Sequence, residues 1–264
     1  MTISTGTIIA FAVGGLLAVI ISVAAVVIFK LRCREAWLPS AFIGAGTFLV
    51  FALILEQLLH SLMLPVIGDN KIFYCVYGCL AAGVFEETGR FIAYKLFMKK
   101  RHDVRNAVMM GLGHGGFEAV ALFGTGMLSN IIMAVGINAS GIEAMAEQMA
   151  AGNAELIETA KAQLVSLAEV NTGFIALGLV ERLIAMAFHV CMSVIVYKST
   201  EKGRIVLFPA AVLLHALLDS VAVMYQVGAV QSLITVYSSM VIILAAVAVP
   251  TVKIIRADRK KAAS

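Results

Sequence analysis

The chain has 264 residues, of which 61% are hydrophobic and only 14% are charged, and its mean hydropathy is +0.97. A soluble domain is about 45–50% apolar and about 25% charged, so this composition excludes a soluble globular protein and indicates an integral membrane protein. The net charge of +4 does not indicate nucleic-acid binding, because the basic residues form short clusters at the ends of apolar segments. We expect an all-α polytopic helix bundle that forms a single integral membrane domain over residues 1–264. We expect it to contact membrane lipid and not to bind nucleic acid.

Seven apolar segments reach the length of about 20 residues that a helix needs to cross a bilayer. They cover residues 6–29, 37–64, 72–98, 105–135, 171–197, 205–226 and 230–252. Fifteen of the 20 basic residues follow the first, third, fifth and seventh of these segments. Because Lys and Arg accumulate on the cytoplasmic side, the pattern predicts an N-terminus outside and a cytoplasmic C-terminus.

Residues 139–170 interrupt this pattern with five glutamates and one lysine. Apolar residues recur there at helical spacing on both sides of a Gly152-Asn153 break. The pattern predicts one or two amphipathic helices at the outer surface. Two interpretations remain open, a structured loop packed on the bundle and a lid over an opening to a functional site.

The third segment contains Glu86, Glu87 and Arg90 within five residues. An ionisable group near the bilayer centre costs about 2.5–3.5 kcal/mol on insertion scales, so such groups indicate function. On a helix, Arg90 can reach either carboxylate, while the two glutamates diverge by about 100°. We therefore expect Arg90 to hold one glutamate well, and the other glutamate to face a cavity.

Other segments contribute further polar residues. Three pairs have the i,i+4 spacing that shares a helix face: Glu56 with His60, His114 with Glu118, and His215 with Asp219. Two pairs are adjacent in sequence: Glu181 with Arg182, and Phe188 with His189. We expect Glu56 and His60 to form a structural pair.

The depth of these residues can be counted from the nearest basic cluster. The glutamate pair, His114, His189 and His215 fall in one layer, roughly 13–20 Å from the cytoplasmic surface at about 1.5 Å per residue. Glu118 and Asp219 fall at the outer edge of that layer. Glu181 and Arg182 lie nearer the outer face, where we expect an ion pair that supports the layer.

Carboxylates and imidazoles in a dry cavity can activate water. A desolvated glutamate is a competent general base, and a histidine can stabilise an oxyanion or protonate a leaving amine. Alternatively, His114, His189 and His215 with a carboxylate form an acceptable zinc set with one open position. The residues alone do not choose between zinc and no cofactor, and the metalloprotease motif HExxH is absent.

The order EExxR, GHGGxE, ER followed by FH, and HxxxD resembles the YhfC family of bacterial membrane proteins. That family is similar to the intramembrane proteases that include the CAAX prenyl endopeptidases, the bacteriocin-processing proteins and PrsW. The resemblance covers roughly residues 70–225, which correspond to the motif-bearing core that we assign to residues 72–226.

The resemblance implies hydrolysis of a peptide bond within a bacterial plasma membrane, in a membrane-protein or lipidated-peptide substrate. It implies catalytic roles for the following residues: Glu86, Glu87, Arg90, His189, His215 and Asp219. It implies supporting roles for a second set: His114, Glu118, Glu181, Arg182 and Phe188. His114 and Glu118 match a feature of the YhfC pattern in particular.

Two functions of other classes remain as alternatives. Buried Glu, His and Asp are also expected in a proton- or cation-coupled transporter. The absence of an inverted repeat, and the position of all four prolines near segment ends, disfavour a transporter. The intact acidic pair and histidines disfavour a non-catalytic binding or immunity protein on the same scaffold.

Overall fold

A computed structural model describes residues 1–68 and 70–263, with side chains through residue 260. All regular structure in these ranges is helical. The α-helices are α1 Thr5–Arg32, α2 Pro39–Thr47, α3 Gln57–Ile67, α4 Lys71–Leu96, α5 Val104–Glu118, α6 Thr125–Ala150, α7 Ala154–Ala168, α8 Thr172–Ser199, α9 Leu207–Gln226 and α10 Leu233–Ala263. π-Helical segments join α2 to α3 at Phe48–Glu56 and α5 to α6 at Ala119–Gly124.

Within the described ranges, six helical segments are long and apolar enough to cross a membrane. They are Thr5–Arg32, Pro39–Ile67, Val104–Ala150, Thr172–Ser199, Leu207–Gln226 and Leu233–Lys260. Helix α4 has the length of a span, but Glu86, Glu87 and Arg90 make it less apolar. The predicted all-α polytopic membrane fold is confirmed, and the protein is a multi-pass membrane protein. The seven spans and the orientation of the termini remain predictions.

The chain packs as two compact units, each with its own apolar core. The first unit contains Met1–Ile21 and Ala119–Arg182, and the second contains Ser22–Glu118 and Leu183–Ser264. Every residue of the candidate catalytic set belongs to the second unit, whereas Glu181 and Arg182 belong to the first. The single integral membrane domain remains a prediction.

In the first unit, helices lie on both sides of the expected break near Gly152. Helix α6 is interrupted at Gly141, which has φ 84° and ψ 167°. The backbone then reverses through Ala151 and Gly152, at φ 50° and 85°. Helix α7 begins when the Asn153 side chain accepts a hydrogen bond from the Glu155 amide at 3.0 Å. It buries Ala160, Leu164 and Leu167 in the core of this unit. The outer location of this segment remains a prediction.

In the second unit, glycines let α5 lie directly against its neighbours. A Cβ added at Gly113 would lie 2.0 Å from the Ala41 carbonyl oxygen on α2. A Cβ added at Gly111 would lie 2.5 Å from the Val190 Cα on α8. Such close backbone approach is typical of small residues in membrane helices. It places His114, which follows these glycines, between α2 and α8.

Candidate active site and metal centre

Helices α4, α5, α8 and α9 bring eight ionisable side chains into one cluster in the second unit. The members of the cluster are Glu86, Glu87, Arg90, His114, Glu118, His189, His215 and Asp219. All are buried except Asp219, whose side chain is 31% exposed. Asp219 therefore marks the accessible side of the cluster.

Glu87 joins two helices through one carboxylate oxygen. Its Oε1 accepts hydrogen bonds from Arg90 Nη1 on α4 and from His215 Nδ1 on α9, the latter at 2.5 Å. Its Oε2 is buried without a hydrogen-bond partner among the described residues, and so is Arg90 Nε. A buried carboxylate oxygen of this kind can accept from a water or a substrate group.

Arg90 contacts both glutamates, and not only one of them. The contact with Glu87 is close, whereas Arg90 Nη2 lies 3.4 Å from Glu86 Oε2. The same Nη2 donates to His189 Nδ1 at 2.7 Å. The expectation that one glutamate is held better agrees with these distances. Both carboxylates reach histidines on other helices, Glu86 on α5 and Glu87 on α9, and the expectation that the other glutamate faces a cavity remains a prediction.

Glu86 lies at the centre of three imidazoles. Its Oε2 is 2.8 Å from His114 Nε2 and 3.8 Å from His189 Nδ1. Its Oε1 is 3.8 Å from His215 Nε2. The His189 ring centroid lies 5.0 Å from that of His114 and 5.4 Å from that of His215. Because one carboxylate approaches all three rings, Glu86 has the central position in the cluster.

The partners of each ring determine which nitrogen can bind a ligand. Arg90 can only donate, so His189 Nδ1 accepts, and neutral His189 carries its proton on Nε2, which contacts Glu118. His215 Nδ1 donates to Glu87, so neutral His215 keeps its lone pair on Nε2. That nitrogen lies 3.5 Å from Asp219 Oδ2. A histidine held by a carboxylate at one nitrogen is typical of metal ligands.

The donor set fits a divalent metal ion. Among the described residues, Glu86, His114 and His189 offer ligand atoms that all lie within 4.8 Å of one another. Catalytic zinc is held by three protein ligands, for example two histidines with a carboxylate or three histidines. His215 lies next to this group with its Nε2 directed toward Glu86. Both ring nitrogens of His189 have protein partners, so His189 must release Arg90 or Glu118 before it can bind a metal ion.

The supporting residues divide between the two units. Glu118 contacts His189 directly, and Phe188 packs its ring edge against His215 at a centroid distance of 5.7 Å. Glu181 and Arg182 form the expected ion pair with each other at 2.5 Å, within the first unit. Their predicted role in support of the layer remains a proposal.

Two residues of the second predicted span were missed as site residues. His60 Nε2 pairs with Glu56 Oε1 at 3.3 Å as expected, but Glu56 is buried near enough to Glu86 and Asp219 to interact with them electrostatically. Thr47 Oγ1 lies 3.0 Å from His114 Nδ1. The i,i+4 pairing of Glu56 within a span was a usable signal. A lone threonine in an apolar segment gives none.

Comparison with known proteins identifies the family of this chain. A family described as YhfC intramembrane metalloprotease matches residues 16–241. The uncharacterised membrane protein YhfC of Bacillus subtilis (strain 168) is 32% identical over 235 residues, which cover 87% of this chain and 89% of that protein. No solved structure matches the chain. The family match extends over most of the sequence and includes every helix that contributes to the cluster. The chain belongs to the YhfC intramembrane metalloprotease family.

Proposed function

We propose that this protein is an intramembrane endopeptidase of a bacterial plasma membrane. Its substrate is a membrane protein or a lipidated peptide, and its reaction is hydrolysis of one peptide bond. The observation that supports this most strongly is the buried Glu86 carboxylate, which three imidazoles surround within a membrane-spanning bundle. Membership of a family described as intramembrane metalloproteases supports the same reaction class.

In this proposal Glu86 is the general base. Glu87 is neutralised by a close contact with Arg90 and a short hydrogen bond from His215, whereas Arg90 holds Glu86 only at 3.4 Å. The more weakly held carboxylate is the better proton acceptor. Glu86 takes one proton from the attacking water, the hydroxide oxygen bonds to the carbonyl carbon, and the proton then passes to the leaving amine as the C–N bond breaks.

The other residues orient the reacting groups. Glu87 fixes the ring of His215 through Nδ1, and Glu118 fixes the ring of His189 through Nε2. This arrangement resembles the third member of a catalytic triad, which holds an imidazole in one tautomer. Asp219 lies beside His215 and is the exposed member of the cluster, and we propose that it contacts the substrate backbone.

The family description implies a metal ion, and the residues that would hold it are His114, His189 and His215 around Glu86. When bound, a divalent ion such as zinc supplies a Lewis acid that polarises the peptide carbonyl. The Nε2 atoms of His114 and His215 both lie near the Glu86 carboxylate, at 2.8 and 3.8 Å from its oxygens. Arg90 Nη2 donates to His189 Nδ1.

The reaction can be tested before its substrate is identified. Membranes from cells that produce the wild type or Glu86→Gln are compared by mass spectrometry of labelled new protein termini. We expect new termini within or next to membrane segments in the wild-type sample alone. The variant must be shown to be folded by thermal melting in detergent. Identical termini in both samples, together with ion flux in proteoliposomes that depends on Glu86, would support the transporter alternative and contradict the protease.

A further inference from the structure

Thr47 is the last residue of α2 and is buried directly before the π-helical segment Phe48–Glu56. Its hydroxyl oxygen has two neighbours. It lies 2.6 Å from the carbonyl oxygen of Gly44 and 3.0 Å from Nδ1 of His114. Close packing fixes this arrangement, because a Cβ added at Gly44 would lie 2.9 Å from the His114 backbone nitrogen. Thr47 is therefore held against the His114 ring by the backbones of α2 and α5.

The two contacts determine where the protons lie. A carbonyl oxygen can only accept, so the single hydroxyl proton of Thr47 points toward Gly44. The hydroxyl oxygen then accepts from His114, so Nδ1 of His114 carries a proton. A neutral imidazole protonated at Nδ1 has its lone pair on Nε2. In this structure Nε2 faces Glu86 Oε2 at 2.8 Å.

This tautomer places two electron-rich atoms opposite each other. A carboxylate oxygen and an imidazole lone pair repel at 2.8 Å unless a proton or a metal ion lies between them. The Phe48 ring packs against the His114 ring in a T-shaped arrangement, with the two centroids 5.2 Å apart. We infer that Thr47 is a positioning residue of the active site, whose hydroxyl accepts from Nδ1 of His114 and holds the ring with Nε2 toward Glu86. Its value for catalysis rests on the proposed function, whereas the contact between Thr47 and Nδ1 is a property of the ion-free protein.

Substitutions at Thr47 separate this role from a packing role. Thr47→Val keeps the branched shape and removes the hydroxyl, and Thr47→Ser keeps the hydroxyl. The matched control is Thr251→Val, since Thr251 is also buried and its hydroxyl donates to the Val247 carbonyl at 2.9 Å. The control removes the same type of hydrogen bond from α10, outside the cluster.

The first measurement is the nitrogen NMR spectrum of ion-free protein labelled only in its five histidines. His114→Asn assigns the His114 signals by difference. We expect a protonated Nδ1 for His114 in the wild type, in Thr47→Ser and in Thr251→Val, and a mixture of both tautomers in Thr47→Val. The second measurement is zinc affinity by competition with a chelator. Loss of an outer partner of a ligating histidine costs about 10–100-fold in metal affinity, and we expect that loss in Thr47→Val alone.

Two results would overturn the inference. One is a wild-type His114 with an unprotonated Nδ1, which needs no variant to be observed. The other is a folded Thr47→Val protein with the wild-type tautomer and zinc affinity. Neither result depends on peptide hydrolysis. A protein with the expected tautomer and no proteolytic activity would contradict the proposed function and leave the role of Thr47 intact.

Discussion

Replacement of Arg90 removes the guanidinium that joins Glu87, Glu86 and His189. Arg90→Leu leaves two buried carboxylates without their cation, and removal of one partner from a buried ion pair costs about 3–5 kcal/mol. That is a large fraction of a total stability of about 5–15 kcal/mol. Arg90→Lys keeps the charge but loses the planar fork, so a single nitrogen replaces the two terminal nitrogens that contact Glu87, Glu86 and His189.

The two Arg90 variants therefore have different expected results. Loss of the His189 contact in Arg90→Lys costs about 1.5–3 kcal/mol, so the fold is retained and cleavage is reduced in part. Arg90→Leu reduces both the stability of the fold and the rate of cleavage. The assay is the unfolding midpoint in mixed detergent and SDS, measured beside cleavage. Arg105→Leu is the control, because Arg105 pairs with an exposed Glu35 and a surface pair contributes about 0–1 kcal/mol. A folded Arg90→Leu protein with unchanged activity would remove Arg90 from the site.

Three further predictions concern packing, topology and the outer segment. Gly113→Ala forces α5 away from the Ala41 carbonyl, so we expect a loss of about 1–3 kcal/mol and weaker zinc binding; an unchanged melting temperature would contradict the close packing. Of two reporters fused after Ser264, we expect activity from the one that works only in the cytoplasm. Activity from the one that works only outside the cytoplasm would contradict the predicted topology. Deletion of residues 143–166 removes Ala160 and Leu164 from the core of the first unit, so we expect a lower melting temperature; a changed substrate choice at an unchanged melting temperature would instead support a lid.

The sequence predicted the helices that contribute to the site better than it predicted the contacts within it. Hydropathy and the count from basic clusters give the depth of His114, His189 and His215, because the rise of a helix is constant. The count does not give the rotation of each helix. The choice of Glu87 as the closer partner of Arg90 depends on where α9 delivers His215, and a pattern along one helix does not contain that information.

The proposed role of Thr47 and the burial of Glu56 were harder to predict from the sequence. Both lie at the ends of a π-helical segment, which changes the direction of side chains relative to an α-helix and occurs frequently at functional sites. Apolar residues surround both positions in the sequence, and no capping or turn signal marks the change of helix type. The contact between Thr47 and His114 joins residues 67 positions apart, so only the packing of α2 on α5 reveals it.

The most direct test of glutamate-activated hydrolysis is the cleavage rate of Glu86→Gln and Glu87→Gln on a peptide identified from the new termini. A positioned general base contributes about 10²–10⁴-fold, so we expect Glu86→Gln to be slower by at least that factor, with a melting temperature close to that of the wild type. Because the two glutamates act as a unit, the double variant should be little worse than the worse single variant. Wild-type cleavage rates in both folded single variants would contradict a glutamate-activated intramembrane protease.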